Sequence, residues 1–128
     1  MTAYLDTSAA MKVLVKEAES VALVRYLASL SEPLVASWML SAELHCAANR
    51  HPDVVDADAI AGVLDSVVLI DVTRGDLLTA GGTPGRLRTN DAINLVAALR
   101  VGADRIVTYD AELAAAAATV GLEVVAPS

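Results

Sequence analysis

The chain has 128 residues, 55% of them hydrophobic, enough for one domain with a sizeable core and too apolar for intrinsic disorder. Sixteen acids against nine Lys and Arg leave a net charge of −7, which argues against a general nucleic-acid binder and suits carboxylates gathered around a divalent cation. One cysteine, Cys46, excludes an internal disulfide, and with neither a signal-like leader nor an apolar run of membrane-spanning length a cytoplasmic protein is expected.

The core must be built from Ala, Val and Leu, because the chain has one tryptophan, three tyrosines and no phenylalanine. Ala3-Tyr4-Leu5 is a strand that stops at Asp6, Thr7 and Ser8; Ala9, Ala10, Met11, Val13 and Leu14 continue as a helix. Lys16–Glu19 opens a second helical pattern carried by Val21, Leu23, Val24, Leu27 and Leu30. Glu32-Pro33 ends it, because the residue before proline is pushed out of the α region. Leu34-Val35-Ala36 is a buried strand, and Ser37 caps a helix from Trp38 to Arg50. His51-Pro52-Asp53 starts the next helix, since proline suits a first turn, with Ile60, Val63 and Leu64 as its stripe.

Val67–Ile70 is the third strand, and Asp71-Val72-Thr73 leads into a short helix ending at Gly81-Gly82. The segment Gly81–Thr89, with Pro84 and Gly85, reads as a loop carrying Arg86 and Arg88. An apolar helix runs from about Asp91 to Val101 and stops at Gly102. Arg105–Tyr109 is a fourth strand, Ala111–Val120 an alanine-rich helix, and Glu123–Val125 a last short strand. Strands alternating with helices, without linker or repeat, predict one α/β domain over residues 1–128, with a mainly parallel sheet between helical layers.

Ligands of such sheets bind outside the carboxyl ends of the strands, where Asp6 and Asp110 fall. Asp6, Asp91 and Asp110 can all be explained as helix caps, since carboxylates bond the unpaired N–H groups there. Glu43 cannot. On a wheel at about 100° per residue with Met39 at zero, Met39, Leu40, Ala42, Leu44, Cys46 and Ala47 span roughly −60° to 140°, and Glu43 falls near 40°. A carboxylate in the middle of an apolar arc is costly unless paired or metal-bound. Arg50, two turns on, offers the salt-bridge alternative. The inward placement points to function, because local rules give way at functional sites. If strands one and four are neighbours, Asp6 and Asp110 share one crevice. Four carboxylates without a Cys or His cluster suit Mg²⁺ or Mn²⁺ rather than zinc.

Tyr-Leu-Asp6-Thr-Ser-Ala, the inward Glu43, Asn90-Asp91-Ala-Ile-Asn-Leu and Val-Thr108-Tyr-Asp110-Ala-Glu-Leu stand in the order and at about the spacing of PIN-domain ribonucleases. The resemblance is closest to the VapC toxins of bacterial toxin–antitoxin modules and covers essentially the whole chain. It implies a three-layer PIN-like fold with a parallel five-stranded sheet, a homodimer, and an acidic pocket for one or two Mg²⁺ or Mn²⁺ ions. Asp6, Glu43, Asp91 and Asp110 match the family's acids. Thr7, Ser8 and Thr108 match its supporting hydroxyls. Asn94 departs from the pattern, since family members often carry histidine there. The resemblance further implies RNA cleavage leaving a 5′-phosphate and a 3′-hydroxyl, and a VapB-type antitoxin that covers apolar surface and pushes a basic side chain toward the acids.

In this reading Asp6 and Asp91 are the direct metal ligands, and Glu43 and Asp110 are ligands or water-positioners. Arg86 and Arg88 either hold RNA phosphates by forked hydrogen bonds or are solvated loop arginines. Cys46 is assigned to packing, and Trp38 to core or dimer packing rather than to stacking a base. A metal-free ribonuclease needs histidine acid–base partners, and His45 and His51 are poorly placed. The alternative is a non-catalytic signalling or binding module resembling a receiver domain, with Asp71 as phosphoacceptor. It lacks the second acid beside Asp6 and any lysine after Lys16. A haloacid-dehalogenase-type phosphatase needs an aspartate where Ser8 stands.

Overall fold

The computed structural model describes residues 1–83 and 85–128. Its five strands are β1 (Ala3–Leu5), β2 (Leu34–Ser37), β3 (Val68–Ile70), β4 (Arg105–Val107) and β5 (Glu123–Val125). The helices are α1 (Thr7–Leu14), α2 (Ser20–Ser29), α3 (Met39–Arg50), α4 (Ala57–Asp65), α5 (Arg74–Gly82), α6 (Thr89–Arg100) and α7 (Ala111–Thr119). Every strand pairing is parallel, in the order β3-β2-β1-β4-β5.

Successive strand residues point to opposite faces, so each central strand feeds two cores. Leu5, Ala36 and Val107 join α1–α4 residues such as Ala9, Leu23, Leu44 and Ile60 on one face. Tyr4, Val35 and Ile106 join Leu95, Ala98, Leu113 and Ala117 of α6 and α7 on the other. Tyr4 lies opposite both Val35 and Ile106 in the ladder, and burial of both faces explains the unbroken apolar runs. The winding runs outward from β1 through β2 to β3, then crosses back to β4 on β1's other side. That makes the gap between β1 and β4 a topological switch point.

Several boundaries differ from expectation for local reasons. Lys16–Glu19 is not helical; α2 starts at Ser20, whose hydroxyl accepts from the Glu17 N–H (2.8 Å) and donates to the Lys12 carbonyl (2.6 Å). His51–Asp53 does not open a helix either. The His51 carbonyl accepts from both Val54 and Val55 in a turn, and α4 begins after Asp56, which caps it through the Asp58 N–H (2.9 Å). Thr73 and Asp76 form a reciprocal capping box at the start of α5. The expected loop Gly81–Thr89 shrinks at both ends, because α5 runs through Gly82 and α6 starts at Thr89; Pro84 lies outside the described residues. Gly102, at φ +74°, follows α6 as expected, since only glycine takes that conformation freely.

Candidate active site

Asp6 follows directly on β1, where its N–H bonds the Val107 carbonyl of β4 (3.0 Å) and the backbone turns into α1. Three donors converge on its Oδ2: the Ser8 hydroxyl (2.6 Å), the Thr108 hydroxyl (2.8 Å) and the Ser8 N–H (3.3 Å). The Ser8 and Thr108 hydroxyls in turn accept from the Tyr109 N–H (2.9 Å) and the Asp110 N–H (3.1 Å). Asp6 is therefore both a helix cap and a buried, oriented carboxylate. Ser8 and Thr108 lock it to the segment that follows β4.

Glu43 stands on α3 close to Asp6. Its Oε1 accepts from the Thr7 hydroxyl (3.1 Å) and its Oε2 from Asn90 Nδ2 (3.1 Å). Among the described residues it makes no salt bridge with Arg50, so the ion-pair alternative falls. Its place on the helix differs from the wheel. The buried face of α3 is Leu40, Leu44, Ala47 and Ala48, whereas Ala42 and Cys46 are exposed. Glu43 sits at the flank of the buried face, over the opening toward α1 and α6. Alanine and cysteine are small enough to face water at little cost, so counting them as core shifted the apparent arc. The packing assigned to Cys46 is corrected for the same reason. Trp38 is 52% exposed and is not a core residue. Ser37 is the last residue of β2 and Trp38, not Ser37, is the N-cap of α3, although the Ser37 hydroxyl still accepts from the Met39 N–H (3.2 Å).

Asp91 is not a cap. The helix α6 begins two residues before it, and Asp91 lies within the first turn, 7% exposed. Its carboxyl is pushed up to about 6, first by burial and then by repulsion from Asp110, Asp6 and Glu43; Arg88 pulls the other way. The four acids thus share one electrostatic neighbourhood. Asp110 caps α7 through the Leu113 N–H (2.9 Å), so that cap reading holds. Arg86 and Arg88 are exposed, and the Arg88 charge favours the ionised Asp91 carboxylate.

Asn94, one turn beyond Asp91, faces the sheet rather than the acids. Its Oδ1 accepts from the Tyr4 hydroxyl (2.6 Å) and the Ser37 hydroxyl (3.2 Å), all three residues being buried. This network ties α6 to β1 and β2, the elements leading to Asp91, Asp6 and Glu43. Burial pushes the Tyr4 phenol up to about 12, so it stays a neutral donor. Sequence reasoning gave Asn90 and Tyr4 no role of their own. Asn94 had a usable signal, a polar residue between the apolar Ile93 and Leu95.

A divalent cation fits this donor set in its chemistry. The acids offer only hard oxygens, and their mutual repulsion around Asp91 is what a cation relieves. Among the described residues no three acid, His or Cys side chains stand close enough together to hold a metal ion as they are.

A parallel sheet wound outward from a central strand, with Asp6 and Asp110 at the strand ends that flank its switch point, defines an α/β domain with an acidic site. The chain belongs to the PIN domain family, which matches residues 3–119. Among its relatives, Ribonuclease VapC46 of Mycobacterium tuberculosis is 42% identical over 130 residues, spanning 98% of this chain and 97% of that protein. The fold is similar to the crystal structure of M. tuberculosis VapC20, described as a Sarcin-Ricin loop cleaving toxin (TM-score 0.75, 18% identity, 89% of this chain and 94% of that one). It is also similar to VapBC2 from Rickettsia felis, solved bound to a DNA fragment from its promoter (TM-score 0.72, 16% identity, 100% of both chains).

Proposed function

We propose that this PIN domain is a divalent-metal-dependent endoribonuclease that hydrolyses RNA phosphodiester bonds and acts as the toxin of a VapBC-type module. The observation that carries the reading is the setting of Asp91: it is buried in the first turn of α6, and the charges of Asp110, Asp6 and Glu43, each from a different element, all raise its carboxyl. The 42% identical relative, named a ribonuclease, supports the same chemistry.

Asp6 and Asp91 would hold Mg²⁺ or Mn²⁺. The bound ion would lower the pKa of a water and offset charge on the phosphate during in-line attack. Ser8 and Thr108 keep Asp6 Oδ2 oriented, and Thr7 with Asn90 fixes both oxygens of Glu43. Glu43 and Asp110 orient the attacking water. Arg88, whose charge acts on the Asp91 carboxyl, would meet substrate phosphate together with Arg86 two residues before it. Products would carry a 5′-phosphate and a 3′-hydroxyl. The partner would be a VapB-type antitoxin covering exposed apolar side chains such as Val21, Val24 and Val68, and the toxin would be a homodimer. No described helix is long and apolar enough to cross a membrane.

The signalling alternative loses its central group. Asp71 follows β3, an edge strand remote from the switch point, and its carbonyl accepts from Arg100 Nη2 (2.9 Å). The test is incubation of purified, antitoxin-free protein with total RNA, with Mg²⁺ or Mn²⁺ and with EDTA, followed by mapping of cut ends. Cleavage that needs the metal and is lost in Asp6→Ala and Asp91→Ala is expected. Cleavage unchanged in both variants sinks the proposal.

A further inference from the structure

Beside the acids, an open groove of about 520 Å³ runs between α1 and α3, from Glu43 and Asn90 to Arg50 and His51, over Met11 and Cys46. We infer that it is a subsite for substrate RNA: Arg50 and His51 hold a phosphate neighbouring the scissile one, and Met11 and Cys46 form the floor beneath its nucleoside. The inference rests on the nuclease reading and extends it to where the strand lies.

The geometry follows from the helix. Arg50 is seven residues after Glu43, two turns further along α3 on the same side and roughly 10 Å away along the axis. Among the described residues the ion pairs engage Lys12, Arg100 and Arg105, and Arg50 has none, so its forked donors are open to a phosphate. At −7 the molecule as a whole repels a polyanion, so a strand reaching the acids needs cations beside them. The groove has the volume of a small-molecule site. Thioether and thiol are polarizable groups suited to lie against a base.

Two readouts test this. In steady-state cleavage of total RNA, Arg50→Ala should raise KM roughly tenfold, as expected for a lost hydrogen-bonded charge, with kcat within about twofold of wild type. His51→Ala should raise KM less. Arg25→Ala, an exposed α2 arginine outside the groove, removes the same charge and should leave KM unchanged. Separately, Cys46 is the chain's one thiol and is exposed, so its alkylation rate reports on the floor. In Asp91→Asn protein, which should leave RNA uncut, RNA above the wild-type KM should slow Cys46 alkylation several-fold. Equal KM for the Arg50 and Arg25 variants, or an alkylation rate unmoved by RNA, overturns the subsite. Wild-type protein that cuts no RNA with either metal overturns the nuclease reading itself, which separates the two failures.

Discussion

Asp91 carries its proton to about pH 6 in the metal-free fold but loses it near pH 3.8 in the unfolded chain, because burial and the surrounding acids oppose its charge. The folded protein therefore binds more protons between those values, and stability falls as pH rises through that window. Asp91→Asn removes the penalty. In EDTA at pH 7.5 the variant should be more stable than wild type by up to roughly 3 kcal/mol, and the gain should vanish near pH 4. Denaturant melts at the two pH values check this; a gain that grows in acid contradicts it. Mg²⁺ should raise the wild-type Tm more than that of the variant. Asn94 invites a second test. Asn94→Ala leaves the Tyr4 and Ser37 hydroxyls without their shared acceptor, and unfolding should register a loss of about 1–3 kcal/mol, against about 1 for Tyr4→Phe. At this scale Glu43 was legible in the sequence because it conflicts with a local rule, and Asp6 and Asp110 because they stand at strand ends, whereas Asp91 read as an ordinary helix cap until the family motif singled it out. Asn90 and Tyr4 were not legible, since a neutral amide and a strand tyrosine break no rule until their partners are known.

Helix starts decide which acids are free. Asp6 and Asp110 cap α1 and α7, while α6 starts at Thr89 and leaves Asp91 inside its first turn without a capping role. At α5, Asp76 serves twice, in the capping box with Thr73 (3.0 Å each way) and in an ion pair with Arg100 of α6 (2.8 Å). The Arg100 hydrogen bond holds the Asp76 carboxyl below the usual carboxylate range. A lowered carboxylate pKa contributes stability above the unfolded value and loses it as pH falls through the folded one. Asp76→Asn should therefore destabilise at pH 7 by about 1–3 kcal/mol and by progressively less below pH 4. Thr73→Ala should cost about 1 kcal/mol at either pH. Melts of both variants at pH 7 and pH 3.5 separate the two effects. Element types were legible from periodicity, and boundaries were less so. Ser20 and Asp56 set the starts of α2 and α4 through side-chain bonds that a hydrophobic stripe does not record.

An acidic molecule with few open cations near its site should hold RNA through few phosphates. Three contacts, from Arg50, Arg86 and Arg88, would set a slope of log KM against log salt no steeper than about 2 on a single strand. A much steeper slope would show a basic surface that the composition does not supply. At this scale the sequence by itself determined the alternation of strands and helices, the two-faced apolar strands and hence a parallel sheet between helical layers, and it set Asp6 and Asp110 at strand ends. Those features follow from near-neighbour chemistry: burial periodicity, proline and glycine punctuation, and capping. Only the tertiary structure decided that β4 crosses to β1, that Asp91 is buried among the other acids, that Thr7 and Asn90 grip Glu43, and that Cys46 faces a groove. Each of these joins residues tens of positions apart, and packing rather than local propensity selects which of them meet.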